Sequence, residues 1–587
     1  MKLRSISTAL VVSSLLLGTS GCKDFYDVNV DPIHPIKADL QQLLPVTQTA
    51  ASTYLGFSIA GIGQATSALM GQLSNGRGIG TYQQNGDSFG NQWGGLYSDM
   101  LANNEQIITQ GTTEQRLSYV GIAQIQKAYV ISQMVDMFGD IPYSEALKGA
   151  ANLAPRYDKD ADIYNGNPGL GIQSLFSLID DGIANLDKGK GVIVRNDLIY
   201  EGDLAKWARL GRTLKLKLYV QIRKTRADGF RPEISALLAN PSNLMSSAPN
   251  NDFEFKYGTS STPANRNIGF LADYVDVGRE NSIGRYLYLL MRYGNGVRVP
   301  SSNLRSPDPR ISYYFFNQQP AATAAASTAT YDFQDPARPA FITIRQGSTG
   351  PASNGISSNT RTLPGLYPVG GRWDDGRGGN ANTTFGRGSV AQRLLPFFNL
   401  KFLEAEAQLV VLNDRMAART ALEAAIDASF AKVNAIALAE GTSTPATPSS
   451  PPSQTPINPL VPPPVLGVIP PLVIEAYRNA VLARFDAAAQ PLQIIMEEKY
   501  VSSFGMGPDI YTDWRRTGFP IITVPDNANI GSNAGLVEDG DADTRGAGLF
   551  PRRLFYSQGS LTANPNPAAP KRQLTESDAN YRIFWDR

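Results

Sequence analysis

The strongest constraint on the fold is a run of apolar residues with the period of an α-helix, between residues 115 and 138. The apolar positions lie three or four residues apart, which is the spacing that one face of a helix requires. They are Leu117, Val120, Ile122, Ile125, Tyr129, Val130, Met134, Val135 and Phe138. Gly139 and Pro142 follow, and both residue types end helices. The pattern predicts a long helix that stops at Phe138.

The same period recurs along much of the chain and sets the expected fold class. It predicts further helices at 44–73, 90–108, 175–186, 204–226, 397–411, 416–437 and 474–504. Asp203 stands directly before one of them and is placed to cap it. Long helices in neighbouring pairs are typical of helical repeats. We therefore expect a mostly α protein with a tetratricopeptide-like helical-repeat scaffold.

Three stretches lack this period and predict irregular structure. Residues 227–392 are rich in Gly, Asn, Ser, Pro and Tyr, and they predict a loop-rich irregular half. Residues 441–472 are rich in Pro, Ser and Thr, which predicts a flexible or polyproline-like insertion between two helices. A further irregular region runs from about residue 524 to the end of the chain.

The N-terminus has the pattern of a lipoprotein signal. A positively charged start precedes an apolar segment at 6–18, which is shorter than the ~20 residues that span a bilayer as a helix. Small residues then lead into Cys22, the only cysteine of the chain. The pattern predicts a signal peptide at 1–21, a lipid on Cys22, a tether at 22–40 and a helical domain at 41–587.

Composition excludes several classes of function. The 587 residues include 53 basic and 52 acidic side chains, for a net charge of +1. This balance argues against a nucleic-acid partner, which calls for a basic excess, and suits the capture of uncharged solutes. One cysteine and one histidine, His34, cannot build a zinc site of the Cys/His type. We expect no cofactor and no metal.

Several short strings occur in a fixed order along the whole chain. They lie at 137–146 (MFGDIPYSEA), 197–207 (DLIYEGDLAKW), 214–216 (LKL), 402–407 (FLEAEA), 499–500 (KY), 513–520 (DWRRTGFP), 551–556 (PRRLFY) and 584–586 (FWD). Together with the lipoprotein signal, the ordered set resembles the SusD/RagB family of outer-membrane nutrient-binding lipoproteins. The string at 137–146 is interpreted as a helix stop, and the one at 513–520 as a structural arginine clamp in which Arg515 or Arg516 stacks on Trp514 and pairs with Asp509 or Asp513.

The resemblance implies a single SusD-like domain and a role without catalysis. It implies a lipid-anchored protein of the outer membrane that faces the cell surface, and residues 23–27 are similar to export signals of Bacteroidetes surface lipoproteins. It also implies a SusC-like partner, a TonB-dependent β-barrel transporter. The ligand would be a nutrient oligosaccharide or a peptide, delivered to that transporter.

Ligand capture without catalysis calls for aromatic rings beside polar side chains, because a sugar packs its C–H face on a ring while its hydroxyls need hydrogen-bond partners. Three stretches have this character. The candidate ligand-binding residues are Tyr82, Gln84, Asn85 and Trp93 in the first, Tyr286 and Arg292 in the second, and Tyr367, Arg372 and Trp373 in the third. Structural packing is the competing interpretation for each aromatic residue, above all for Trp93 and Tyr97 at helical spacing.

Other functions are weaker alternatives. A lipid-anchored surface polysaccharide hydrolase would need two carboxylates, and no pair is marked by the sequence, so we predict no catalytic residue. A purely structural lipoprotein is a third possibility. The string that starts at Asp541 begins like a calcium loop, but Arg552 stands where such a loop has Glu, so it is interpreted as a solvated turn.

Overall fold

The structure is a computed structural model that describes residues 38–74, 79, 82–276, 278–294, 307–321, 333–335, 338–344, 358–440, 467–522, 550–575 and 577–586. Several predictions concern positions outside these ranges: the signal peptide at 1–21, the lipid on Cys22, the export signal at 23–27, the role of His34, most of the tether and of the Pro-rich insertion, and the turn at Asp541.

Helices dominate the described residues. In chain order they are α1 Leu40–Leu55, α2 Ile62–Leu69, α3 Gly90–Gly95, α4 Ala102–Thr113, α5 Leu117–Phe138, α6 Asp160–Asn165, α7 Leu175–Lys188, α8 Leu204–Ile222, α9 Arg231–Leu238, α10 Ile268–Phe270, α11 Arg285–Tyr293, α12 Ile311–Tyr314, α13 Leu366–Val369, α14 Phe397–Ala407, α15 Arg415–Glu440, α16 Pro471–Ala487, α17 Pro491–Ser502, α18 Gly507–Thr517 and α19 Gln558–Ala563. Single π-helical turns occur at Leu96–Leu101, Leu271–Val275 and Gln408–Leu412, and 3₁₀ turns at Gly149–Ala151, Pro168–Leu170, Arg223–Thr225 and Pro241–Asn243.

Short strands form four antiparallel pairs. The strands are β1 Leu73–Ser74, β2 Phe253–Phe255, β3 Ser282–Ile283, β4 Phe315–Asn317, β5 Phe333–Asp335, β6 Arg338–Thr343, β7 Thr362–Pro364 and β8 Gln392–Leu395. The pairs are β1–β3, β2–β8, β4–β7 and β5–β6. Most of these strands lie between residues 253 and 395. The prediction of a mostly α fold with a loop-rich half is confirmed.

The helical scaffold is built from helices that pack on their neighbours, with α5 against α7, α7 against α8, and α14 against α15. Glycine lets α5 and α7 approach closely. A Cβ at Gly121 would lie 2.6 Å from the Gly182 carbonyl oxygen, which is closer than atoms can pack. The crossing therefore requires glycine at this position of α5.

Local signals in the sequence explain where these helices begin and end. The Asp203 side chain accepts hydrogen bonds from the Ala205 and Lys206 amides at the start of α8, at 2.9 and 3.0 Å, as predicted. Gly139 ends α5 with a φ of +79°, also as predicted. The string at 137–146 thus stops a helix.

Two predicted helices are each two helices in the structure. The segment 44–73 breaks at Gly56, where a Cβ would lie 2.0 Å from the Ser52 carbonyl oxygen. The segment 474–504 breaks before Pro491, the first residue of α17. Proline disfavours the helical conformation in the residue before it, so Gln490 has a non-helical backbone. The apolar period continues across both breaks and therefore does not reveal them.

A buried arginine joins the loop-rich half to the helical scaffold. Arg310 is fully buried and its guanidinium binds the carboxylate of Asp308. The same guanidinium donates to the hydroxyls of Ser429 on α15 and Ser502 on α17, at 2.9 and 3.0 Å. These bonds fix the position of α12 and of the strand that follows it, where the candidate site lies.

Candidate ligand-binding site

The first predicted stretch packs against the C-terminal segment. Tyr82 is buried, and its ring meets that of Phe550 at 5.3 Å. Gln84 uses both polar atoms on the backbone of this segment: its amide donates to the Arg553 carbonyl and accepts from the Phe555 amide, at 3.1 and 2.9 Å. Asn85 is exposed, and its side-chain oxygen accepts from the Asp87 amide.

Trp93 lies in an aromatic cluster below this surface. Its ring is 5.1 Å from that of Phe138, 5.8 Å from that of Tyr556 and 5.3 Å from that of Tyr97. Only 5% of Trp93 is exposed, so the ring packs in the core in this structure. Its arrangement with Tyr97 is the one that helical spacing indicated.

The second stretch contributes one buried and one partly buried side chain. Tyr286 is buried, its hydroxyl donates to the Ile521 carbonyl at 3.1 Å, and its ring meets that of Tyr500 at 5.7 Å. Arg292 is partly buried, and its guanidinium lies 5.3 Å from the ring of Tyr293. Tyr286 therefore offers little free ring surface, and the guanidinium of Arg292 already faces a ring.

The third stretch places Tyr367 in α13 and places Arg372 and Trp373 in the loop that follows it. Tyr367 is buried, stacks on Tyr314 and donates its hydroxyl to the Ser502 carbonyl at 2.9 Å. Arg372 is also buried and binds both carboxylate oxygens of Asp375, at 3.0 and 2.9 Å. Trp373, between them, is only partly buried.

Backbone hydrogen bonds hold the Trp373 loop, residues 370–390, against the segment 312–321. The Asp374 amide donates to the Ser312 carbonyl, the Gly379 amide to the Gln318 carbonyl, and the Ala321 amide to the Gly376 carbonyl. Gly378 has a φ of +70°, and a Cβ there would lie 2.6 Å from the Pro320 nitrogen. The glycines of this loop thus permit close contact between two chain segments.

Trp373 and Tyr313 form a pair of rings with free polar atoms. The ring centroids are 6.4 Å apart. The indole N–H of Trp373 is buried and has no hydrogen-bond partner, and the Tyr313 hydroxyl forms no hydrogen bond to any described residue. A buried polar group without a partner is costly unless something satisfies it. Trp373 is partly exposed and Tyr313 is buried, so the pair is a largely buried site whose polar atoms a ligand can complete.

Two carboxyls flank this pair and differ in their environment. Burial raises the pKa of Asp374 to about 7, so its carboxyl is partly protonated at neutral pH. Asp374 accepts hydrogen bonds from the Asn317 side-chain amide and the Gly376 amide, at 2.6 and 3.1 Å. The neighbouring Asp375 is held by the guanidinium of Arg372. Neither carboxyl carries much free negative charge toward a ligand.

The nine predicted residues are therefore not gathered in one place. The first stretch lies at the C-terminal segment, whereas the second and third pack against α17. Ligand contact by these nine residues stays a prediction. Trp373 is the partly exposed ring among them, and Tyr313, its neighbour in the structure, was not predicted. Tyr313 stands in the run ISYYFF at 311–316 and is buried, as Tyr314 is, so no local signal in the sequence separates the two tyrosines.

The recognisable strings have structural roles. Asp197 accepts hydrogen bonds from the Gln48 side-chain amide and the Trp207 indole, both at 2.8 Å. Glu406 pairs with Arg516 and, at 2.8 Å, with Arg223. Each string thus secures contacts between distant parts of the chain.

The arginine clamp at 513–520 is present with different partners from those expected. Arg516 pairs with Asp513 as predicted. Arg515, however, stacks on Tyr511 and Trp585 instead of Trp514, and the ring of Trp514 faces Arg552. Asp509 binds Lys217, 2.8 Å away. Helix geometry explains the change, because Trp514 and Arg515 are adjacent and point to different faces of α18.

Neither a membrane-spanning helix nor a metal-binding cluster occurs in the described ranges. Among the helices of those ranges, none is both long enough and apolar enough to cross a bilayer. The same residues contain no cluster of His, Cys, Asp and Glu side chains suited to a metal ion.

Solved structures of SusD homologues share this fold. A SusD/RagB family protein from Bacteroides thetaiotaomicron VPI-5482 is 20% identical, with a TM-score of 0.63 over 94% of this chain and 99% of its own. A SusD homologue from Bacteroides fragilis NCTC 9343 is 17% identical, with a TM-score of 0.63 over 93% of this chain and 100% of its own. A chitin-binding protein is 18% identical, with a TM-score of 0.63 over 94% and 100%. These similarities define a protein of the SusD fold.

The family itself is given by sequence. A family model described as starch-binding and associating with the outer membrane matches residues 57–440. The chain therefore belongs to the SusD-like family, as its strings predicted. The matched range includes all nine predicted residues and Tyr313. No curated protein matches the chain.

Proposed function

We propose that this protein is a lipoprotein, anchored through Cys22 and facing the cell surface, that captures nutrient oligosaccharides or peptides without catalysis. It delivers them to a TonB-dependent transporter of the outer membrane. Membership of a starch-binding, outer-membrane-associated family supports the first part. The lipoprotein pattern of the N-terminus and the family resemblance support the anchor and the partner.

The Trp373–Tyr313 pair is the observation that carries the capture role. A partly exposed indole offers a flat apolar surface to the C–H face of a sugar ring. The indole N–H can donate a hydrogen bond to a hydroxyl or amide of the ligand, and the tyrosine hydroxyl can donate or accept one. Because the surrounding loop is fixed by backbone hydrogen bonds, little ordering is required on binding.

Calorimetry with malto-oligosaccharides, chitin oligosaccharides, other glycans and peptides tests this proposal. The Trp373→Ala variant should bind the recognised ligand at least about tenfold more weakly, since an aromatic contact and a hydrogen bond are lost. Trp514→Ala is the matched control, because Trp514 is also partly buried but packs on Phe550, away from the loop. Equal losses in the two variants, or no ligand at all, would contradict a capture site at Trp373.

A hydrolase is the second candidate, and Asp374 is the observation that favours it. A carboxyl with a pKa of about 7 has the protonation state of a general acid at neutral pH. A hydrolase also needs a second, free carboxylate, and that of Asp375 is engaged by Arg372. Chromatography of the same glycans after incubation separates the two functions: product that forms at catalytic rates, and that disappears in Asp374→Asn, would replace the capture proposal.

Copurification tests the partner. Gentle detergent extraction of outer membranes should recover a TonB-dependent β-barrel together with this protein. Recovery of the protein alone under those conditions would count against a stable complex.

A further inference from the structure

The near-neutral net charge of the chain conceals a strong segregation of charge. Residues 258–395 contain 14 arginines, no lysine and 8 acidic residues, whereas the other positions carry 39 basic and 44 acidic residues. The stretch 258–395 thus has an excess of six positive charges, and its basic residues are all arginines. Such an excess on one part of a protein attracts anions over about a Debye length, ~8 Å at physiological salt.

Most acidic side chains described within residues 258–395 form ion pairs or hydrogen bonds inside the fold. Asp308 is held by Arg310, and Asp375 by Arg372. Asp273 accepts hydrogen bonds from the amide and side chain of Asn281, at 3.0 and 2.9 Å, and the carboxyl of Asp374 is partly neutral. Asp276 is exposed and accepts from the Gly278 amide. Four of the arginines, Arg279, Arg310, Arg372 and Arg393, are themselves buried.

The guanidinium groups of several other arginines contact backbone carbonyls or a ring instead of forming an ion pair. Arg266 donates to the Thr259 carbonyl at 2.9 Å, and Arg387, which is exposed, to the Ala439 carbonyl at 3.2 Å. Neither these two nor Arg292 forms an ion pair with any described residue. Outside residues 258–395, exposed or partly exposed cations do form ion pairs, for example Lys215 with Asp180 and Arg419 with Asp486.

Two arginines, Arg377 and Arg387, belong to the Trp373 loop. Arg377 is 38% exposed and lies 3.8 Å from Asp375, whose carboxylate Arg372 already binds. Arg387 stands between Gly386 and Gly388, and the Gly388 amide donates to the Gly370 carbonyl at 3.0 Å, two positions before Arg372. Glu440 is the acid beside Arg387: it is buried, and its carboxylate accepts from the Ser389 hydroxyl and the Arg387 amide and attracts the Arg387 guanidinium. Burial raises the pKa of Glu440, which reduces its negative charge.

From this arrangement we infer that the Trp373 site takes an anionic oligosaccharide, whose carboxylate or sulfate groups are bound by Arg377 and Arg387 while a sugar ring packs on Trp373. The inference rests on the proposed capture function and names its ligand class. Arginine suits this role because its planar guanidinium forms paired hydrogen bonds with carboxylate and sulfate oxygens, which an ammonium group cannot do. A neutral ligand would gain nothing from the excess of charge.

The test compares ligands that differ in charge alone. Calorimetry with the full-length chain uses oligogalacturonate against its methyl ester of the same length, and chondroitin sulfate oligosaccharide against its desulfated form. At least one charged form should bind about tenfold or more tightly than its counterpart, the effect of one charge-assisted hydrogen bond. Added sodium chloride should reduce the difference. A difference within the oligogalacturonate pair shows that the protein binds carboxylate, and a difference within the chondroitin pair shows that it binds sulfate.

Arginine variants locate the effect. Arg377→Gln and Arg387→Gln should each weaken binding of the charged form about tenfold and leave binding of any uncharged form unchanged. Arg231→Gln is the matched control for Arg387→Gln, because Arg231 is also exposed and donates to a backbone carbonyl, that of Leu412, but lies in α9, outside residues 258–395. It should change nothing. Circular dichroism confirms that each variant is folded.

Three other results would overturn the inference or the proposed function. Equal or tighter binding of the uncharged forms overturns the inference and leaves the capture function standing. Binding of a glutamate-rich peptide as tight as that of the charged sugars shows that charge alone is recognised, and this too overturns the inference. If no glycan or peptide binds in either form, the proposed function itself fails.

Discussion

A single carboxylate, that of Asp197, connects three parts of the chain. It accepts from the Gln48 side chain on α1, from the Trp207 indole on α8, and from the Gly202 amide at 3.0 Å in the turn between them. Asp197 is 5% exposed, so water cannot replace these bonds easily. Removal of the carboxylate leaves buried donors without partners, and each such donor costs about 1–3 kcal/mol.

Asp197→Ala should therefore lower the free energy of unfolding by about 3 kcal/mol or more, measured by urea denaturation. Asp180→Ala is the control: Asp180 is an exposed carboxylate paired with Lys215, and its loss should cost less than about 1 kcal/mol. Similar losses in the two variants would show that the hydrogen bonds of Asp197 contribute little.

Between elements, the contact of α5 with α7 depends on the absence of a side chain at Gly121. Besides the Gly182 carbonyl, an added methyl would meet the Leu186 amide at 2.8 Å. Gly121→Ala should thus destabilise the protein by about 1–3 kcal/mol, although alanine is the better helix former. Gly94 in α3 offers the opposite case, since nothing lies within 4 Å of its added Cβ. Gly94→Ala should be neutral or stabilising by up to about 1 kcal/mol. Thermal unfolding compares the two, and a stabilised Gly121→Ala would refute the packing argument.

Local patterns predicted the helices, whereas they did not predict which rings are exposed. The apolar period and the signals at Asp203 and Gly139 act within a few residues, so α5 and α8 could be placed from sequence. The burial of Tyr82 and Trp93 depends on Phe550 and Tyr556, more than 400 positions later. No pattern near residue 90 contains that information.

The candidate site shows the same limit. The glycines and polar residues around Trp373 predicted a loop with ligand-binding character, and the loop is present. Its partner Tyr313 comes from a different segment, brought there by α12 and by the buried Arg310. Such a pairing of segments follows from the whole fold, and local patterns in a single sequence do not predict it.

At the scale of the whole molecule, the C-terminal segment closes the fold over the end of α5. The Trp585 indole donates to the Asp136 carboxylate at 3.0 Å, and the Tyr164 hydroxyl does so at 2.7 Å. Burial raises the pKa of Asp136 to about 6, above the usual 3.8 of an aspartate in water. The folded state therefore binds this proton more tightly than the unfolded state does. The resulting stabilisation is full below about pH 3.8 and is lost as the pH rises through about 6.

Asp136→Asn removes this titration and retains an oxygen that accepts hydrogen bonds. Between pH 4 and pH 7 the free energy of unfolding of the natural protein should fall by about 2 kcal/mol relative to the variant. Urea denaturation at several pH values measures the difference. A difference that stays constant over this range would show that Asp136 does not take up a proton on folding.

The proposed attachment of the molecule to a membrane rests on one side chain, Cys22. Since the chain has no other cysteine, an acyl group on sulfur has a single place to go. Cys22→Ser should therefore move the protein from the detergent-rich to the aqueous phase in a detergent partition, because acyl chains bind membranes by about 0.8 kcal/mol per buried CH₂ group. His34→Ala, in the same predicted tether, should leave partition unchanged. An unaltered circular dichroism spectrum shows that the released protein is folded, and persistence of folded Cys22→Ser in membranes would refute the lipid anchor.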